Sequence, residues 1–314
     1  MTALFPPLFC GIMLTMDLSI LPPTDDWIFK LLFGNERNKS MLIDLLGSFV
    51  ELPQEEYELT FLDTHLKPEN EDDKLGILDV KVRTAAGKII DIEIQVNPVK
   101  NIGKRLSFYK SKLIVEQVGK GLQYKVIQRV ICICITNYEL FRGVREYVNN
   151  FRFWNKENGL CFEEIPEEVY TVELPKVPEA SDGSAGWGWL QFLRSRRKEE
   201  FEMVAERNPE IRKAVETLYE LSADEEVRAE YEMRQKAWRD RISEIDGARE
   251  DGMERGMGIG MERGRNNRNE EIVKNALAKG YSMELINDIT GLDIKTIQSF
   301  KKMKNEKLKM KSDE

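Results

Sequence analysis

The sequence predicts an α/β protein: a mixed β-sheet with helices packed on it, followed by a helical C-terminal region. Three observations carry this reading. Residues 89–96 (IIDIEIQV) alternate apolar and polar side chains with period two, the mark of a strand with two chemically different faces. Residues 126–136 (VIQRVICICIT) form a nearly continuous apolar run, as a strand buried on both faces requires. Stretches with helical apolar spacing flank these strands and dominate from residue 189 onward.

Taken in order, Thr24, Asp25 and Asp26 signal a helix start, because short polar side chains accept from the free N–H groups of a first turn. Trp27, Ile28, Leu31 and Leu32 then share a face, until Gly34 and Asn35 break the helix. A second helix is expected from Lys39 to about Phe49, with Met41, Leu42, Leu45, Leu46 and Phe49 inward and Pro53 ending the unit. Residues 59–66 read as a first strand, 67–74 as a charged loop and 75–96 as a β-hairpin. Residues 101–121 read as a helix with Leu106, Leu113 and Val118 on its apolar stripe and Gly119 and Gly121 at its end. With the strand at 126–136 the order is α, β, β, β, α, β, which implies a mixed sheet covered by helices.

A short strand is expected at 169–174, and the Gly-, Ser- and Ala-rich stretch 179–188 is the expected boundary. Residues 189–221 read as helical and 223–249 as a long helix whose dense charge is a solvated face. The motif GMERG then occurs twice, spacing Gly252, Gly256, Gly260 and Gly264 by four. Such a stripe can let two helices approach closely. Each glycine also costs about 1 kcal/mol against alanine in a helix, which favours a weakly helical connector. Residues 270–302 read as a compact unit: a helix stopped at Gly280, a second at 283–289, a turn at Gly291 and a third helix capped by Asp293. That spacing fits a helix-turn-helix, and equally a small helical unit that binds no DNA. The expected organisation is an N-terminal extension at 1–23, a first domain at 24–178, a charged helical region at 189–250, a Gly-rich connector at 251–269, the small helical unit at 270–303 and a basic tail at 304–314.

Composition narrows the function. With 314 residues and 41% of them hydrophobic, the chain can bury a sizeable core. Its net charge of −8 excludes a protein that coats nucleic acid through general positive charge, so any DNA contact must use local basic patches. Four cysteines in a chain of this size make no disulfide framework; Cys132 and Cys134 read as small core side chains in a reducing cytoplasm. A single histidine, His65, argues against His-based zinc chemistry and weakens any Ser/His/Asp arrangement. Residues 1–23 are mildly apolar but carry Pro6, Pro7 and Asp17 and no basic leader, so neither a signal peptide nor a membrane span is expected. The protein is expected to be soluble and cytoplasmic with no membrane partner, and Met16 is an alternative start.

The hairpin holds the chemistry. A three-residue turn at Ala85, Ala86 and Gly87 places glycine at its left-handed position. Thr84 then pairs with Lys88, Lys81 with Asp91, and Asp79 falls opposite Glu93, with Cβ atoms roughly 4.5–5.5 Å apart. A two-residue turn would set Asp79 opposite Ile94, burying an unpaired carboxylate among apolar side chains. Two carboxylates this close repel unless a cation separates them. A hard divalent ion with oxygen ligands, Mg²⁺ or Mn²⁺, answers that need. Neutralisation of the acidic row by Lys81 answers it equally well from spacing alone.

ILDV (residues 77–80) followed by DIEIQ (residues 91–95) resembles the metal-binding motif of the PD-(D/E)XK nuclease superfamily, and in particular the Rpn-type recombination-promoting nucleases, also called PD-(D/E)XK nuclease family transposases. DDWIFKLLFG (residues 25–34) is similar to that family's N-terminal motif, and Arg105, Tyr109, Lys112, Gly121 and Tyr124 resemble its helical segment. VELPKV (residues 172–177), the glycine repeat and ITGLD (residues 289–293) match its C-terminal features, so the likeness spans about residues 24–302. The resemblance implies Mg²⁺- or Mn²⁺-dependent DNA cleavage on an αβββαβ core, tied to recombination or transposition. Asp79 and Glu93 would be the metal ligands, with Gln95 and Lys112 joining them in catalysis and Arg105, Tyr109 and Lys112 contacting DNA. Asp26 and Lys30 would form an outer part of the site, although Asp26 serves equally as a helix cap. Gln95 stands where many superfamily members carry lysine. It cannot supply a positive charge, so that charge is expected from Lys112 or Arg105. The competing reading is a catalytically degenerate DNA-binding or interaction protein; a small-molecule phosphohydrolase ranks third, for want of a phosphate cradle. The long charged helix and glycine stripe suit a homo-oligomer built through the C-terminal helices.

Overall fold

The computed structural model describes residues 20–50, 53–56, 58–66, 77–119 and 121–300. Most of the N-terminal extension, with Cys10 and Met16, the charged loop at 67–74 and the basic tail lie outside these residues. Two helices open the chain, α1 (Asp26–Phe33) and α2 (Lys39–Gly47). The carboxylate of Asp25 caps α1 by accepting from the N–H groups of Trp27 and Ile28 at 3.2 and 3.3 Å. There follow β1 (Leu59–Phe61), β2 (Val80–Thr84), β3 (Ile89–Gln95), α3 (Ile102–Val115) and β4 (Val130–Thr136), the expected αβββαβ order. The first strand is shorter than expected. Beyond Phe61, among the described residues, the Leu62 N–H donates to the Lys81 carbonyl at 2.9 Å and His65 bridges to Ile77.

Four further strands complete the described β-structure of the first unit: β5 (Val148–Phe151), the small hairpin β6 (Trp154–Asn155) and β7 (Leu160–Cys161), and β8 (Glu167–Glu173). The main sheet runs β1-β2-β3-β4-β8-β5. It is mixed: β3, β4 and β8 are parallel neighbours, while β1, β2 and β5 run antiparallel to theirs. β5 is missing from the sequence reading because an edge strand half open to water has no apolar pattern to betray it.

The hairpin adopts the three-residue turn. Lys81 faces Asp91. Gly87 has φ +88°, and its N–H donates to the Thr84 carbonyl at 2.9 Å, while Thr84 N–H donates to Lys88 at 2.9 Å. One face of β3, with Ile90, Ile92 and Ile94, joins the main core together with α1, α2 and the inner residues of β4. The opposite face is also covered. Ile89, Val130 and Cys132 pack there with Tyr109 and Leu113 of α3. The alternation of β3 therefore marks a contrast between two buried layers, and its acidic row lies beneath a helix.

Helices α4 (Ala185–Arg194), α5 (Lys198–Ala205) and α6 (Pro209–Ala223) bury Trp187, Trp189, Phe192, Phe201 and Leu218 in the same main core. Phe33 of α1 meets Trp189 and Phe192 edge-on, with ring centroids 5.7 and 6.5 Å away. The core thus crosses the Gly- and Ser-rich stretch, and the first compact unit extends to Glu232. Helix α7 (Glu225–Ala278) contains the glycine repeat as continuous helix. The strong helix formers Glu, Arg and Met between the glycines offset their cost. Space around Gly252, Gly256, Gly260 and Gly264 is open, so no close helix approach uses them among the described residues. The second unit has its own small core of Val273, Ala276, Ile286 and Ile297, closed by α8 (Met283–Thr290) and a helix at 294–300. Gly291 ends α8 in the left-handed conformation, φ +70°. No helix among the described residues is long and apolar enough to cross a membrane.

Candidate active site

The ladder between β2 and β3 ends at Val80 and Ile92, and Asp79 stands one residue beyond it. Asp79 is fastened to β3 through its side chain: Oδ2 accepts from the Ile94 N–H at 2.8 Å. This brings it beside Glu93 and leaves its other oxygen for a further partner. Glu93 Oε2 accepts from Arg105 Nη2 of α3 at 3.2 Å, while Oε1 is buried with no hydrogen-bond partner. Arg105 also lies over the Tyr109 ring, 5.1 Å from its centroid. Both oxygens of Asp91 are buried with no nitrogen or oxygen partner. Lys81, across the ladder from Asp91, instead sends its ammonium to Glu116 at 2.9 Å.

Burial of carboxylates with so few donors favours their protonated forms. Burial, reinforced by Asp26, pushes Asp79 up to about 7, against the Ile94 N–H and the charges of Arg105 and Lys30. Burial and the nearby Asp79 push Asp91 up to about 8. Burial, then Asp91 and Asp79, push Glu93 up to about 9. The parallel register of β3 and β4 sets Cys132 beside Asp91 and Cys134 beside Glu93. Burial, and then these carboxylates, raise both thiols, Cys134 to about 12. The result is an acidic floor whose carboxyl groups resist ionising together unless a cation joins them.

The structure brings together Asp26, Lys30, Asp79, Glu93, Arg105 and Tyr109. Lys30 reaches in from α1 and donates to Thr64 Oγ1 at 3.0 Å. Gln95 closes β3, half-buried, with its carbonyl accepting from the Asn137 N–H at 2.9 Å. Lys112, two turns after Arg105, lies over the exposed Phe108 ring at 6.0 Å. The leading charges acting on Asp79 and Glu93 include Arg105, so of the two expected sources of charge Arg105 is the nearer. Thr64 is the neighbour that sequence reading missed; Asp91 stands in the acidic row without an assigned role, and Lys81, a candidate to neutralise that row, pairs with Glu116. The alternation had put Asp91 on the same face, but only the cover of α3 reveals its burial.

Among the described residues, no group of three or more His, Cys, Asp or Glu side chains gathers as an all-protein metal cage would. Mg²⁺ does not ask for one. It takes one or two carboxylates and completes its shell with water and phosphate oxygens. The hard oxygens of Asp79 and the orphaned Glu93 Oε1 fit that demand. A cavity of about 590 Å³ lies elsewhere, between α2, α4 and the start of α6, and holds none of these residues.

A family model described as PD-(D/E)XK nuclease family transposase matches residues 23–248. No curated protein and no solved structure matches the chain.

Proposed function

Because the chain belongs to the PD-(D/E)XK nuclease family of transposases, we propose that it is a divalent-metal-dependent DNA endonuclease with Asp79 and Glu93 as its metal ligands. One observation carries this. Asp79, partly buried, adjoins the buried Glu93, whose Oε1 has no hydrogen-bond partner, an arrangement that costs stability unless a cation completes it. A bound Mg²⁺ or Mn²⁺ would polarise the scissile phosphodiester and ease formation of hydroxide from water.

The chain's own residues do the positioning. The Ile94 N–H fixes one oxygen of Asp79 and so aims the other. Arg105 holds Glu93 by one oxygen only. It thereby sets the carboxylate's orientation without saturating it. Gln95 can donate to a water or to a phosphate oxygen but carries no charge. Tyr109 seats Arg105 through its ring, and Lys112 on the outer part of α3 meets the DNA backbone. Recombination or transposition is the setting in which such cleavage serves this chain.

Plasmid nicking in Mg²⁺ and in EDTA tests the proposal. The expected result is Mg²⁺-dependent nicking by the wild type that Asp79→Ala abolishes. Nicking undiminished in Asp79→Ala removes the site assignment. A wild type that binds DNA but never cuts it, in Mg²⁺ or Mn²⁺, turns the reading to a degenerate DNA-binding protein in which Gln95 marks lost activity.

A further inference from the structure

Neutral Gln95 leaves a gap in the reading above. Negative charge grows on the phosphate oxygens during hydrolysis, and β3 offers no cation to meet it. The basic groups around the carboxylates differ in how far they are committed. Arg105 is paired with Glu93 at 3.2 Å, Lys81 with Glu116 at 2.9 Å and Lys110 with Glu167 at 2.6 Å. Lys30 donates to the neutral hydroxyl of Thr64. The bond is charge-assisted on the donor side only: Thr64 brings no opposite charge, so the ammonium keeps its full attraction for an anion.

Thr64 places Lys30 at the site. Its carbonyl accepts from the Leu78 N–H at 3.0 Å, and Leu78 immediately precedes Asp79. Helix α1 is a firm mount, capped by Asp25 and anchored by buried Ile28, Phe29, Leu32 and Phe33. Lys30 itself is half-buried, so its ammonium stays reachable.

We infer that Lys30 is the substrate-facing cation of this site: on DNA binding its ammonium leaves Thr64 for a non-bridging oxygen of the scissile phosphate, supplying the charge that Gln95 lacks. The inference rests on the nuclease reading. In the step it serves, the oxygen of water bonds to phosphorus and the bond from phosphorus to the leaving sugar oxygen breaks. The proton lost by water passes to solvent, and the leaving oxygen takes one up. Lys30 neither gives nor takes a proton.

Lys30→Met and Lys30→Arg, with Asp79→Ala as control, test it by single-turnover cleavage in Mg²⁺ and by the salt dependence of DNA binding in EDTA. Lys30→Met is expected to lose about a hundredfold in cleavage rate and to flatten the salt slope by about 0.9, the loss of one phosphate contact on duplex DNA. Lys30→Arg is expected to restore the slope and most of the rate. A folded Lys30→Met that cuts within threefold of wild type, or keeps the wild-type slope, overturns the inference while leaving the Asp79 result to stand for the nuclease reading. Should Lys30→Met fail to fold, a folded Lys30→Arg as inactive as Asp79→Ala overturns it too. Where the wild type itself does not cut, the nuclease reading falls and the salt slope alone decides for or against Lys30.

Discussion

The carboxylate of Asp79 accepts a hydrogen bond from the backbone N–H of Ile94, 2.8 Å away, just past the last pair of the β2–β3 ladder. Asparagine at position 79 has an oxygen that can accept the same bond. Asp79→Asn is therefore expected to keep the fold and lose the metal. In the wild type, Mg²⁺ at a hundred times its dissociation constant should raise stability by about 2.7 kcal/mol. Thermal melts of both proteins with and without Mg²⁺ check this; an equal upward shift in Asp79→Asn contradicts it.

The buried acids make a second prediction, for the protein in EDTA. Asp79, Asp91 and Glu93 are pushed up to about 7, 8 and 9, whereas unfolded carboxyls titrate near 4. Between those limits the folded protein holds protons that the unfolded chain has released. The stability these groups contribute is thus present below about pH 4 and lost as pH rises through the folded values. Asp91→Asn removes one such group, so it should gain on the wild type between pH 5 and 9. Urea midpoints at the two pH values read the gain; a gain that shrinks with rising pH reverses the sign and defeats the argument.

Gly87 offers a test of the hairpin register. Its φ of +88° strains any other residue, and a Cβ there would come within 3.1 Å of Gln128 Cγ. Gly87→Ala is expected to destabilise by about 1–2 kcal/mol, measured by chemical denaturation. A neutral outcome would mean that the turn has another form.

The cysteines give a chemical probe of burial. Cys132 and Cys134 are buried with raised thiols, whereas Cys161 is partly accessible. In a Cys10→Ser background, a thiol reagent at pH 8 should modify one cysteine in the native protein and three after denaturation. Rapid native labelling of Cys134 would show that the acidic floor is open to solvent.

Much of the site was readable because β-strand chemistry is local. Period-two alternation put Asp91 and Glu93 on one face, and a glycine suited to φ +88° fixed the register that brings Asp79 to them. The reach of α3 over that face was not readable, since the same alternation fits a strand open to water. Nor was the route of the core across residues 179–188. The local composition there is that of a linker, while Trp187 and Trp189 override it by joining the main core, Trp189 against Phe33 more than a hundred residues away. Lys112 shows the limit of helical spacing. Sharing a face with Arg105 sets direction, but not which neighbour the long side chain meets, and the Phe108 ring that Lys112 lies over does not follow from spacing.

The tether from Asp79 to Ile94 also makes a gauge. The Ile94 amide donates to a side chain that also has to answer to whatever cation or phosphate arrives. A carboxylate drawn toward a divalent ion gives up electron density to it and loosens its hold on the amide proton. The backbone resonance of Ile94, and the rate at which its proton exchanges with solvent, should therefore register occupancy at Asp79 directly. A single nitrogen in the spine of the sheet would then report loading and release in protein that is not turning over.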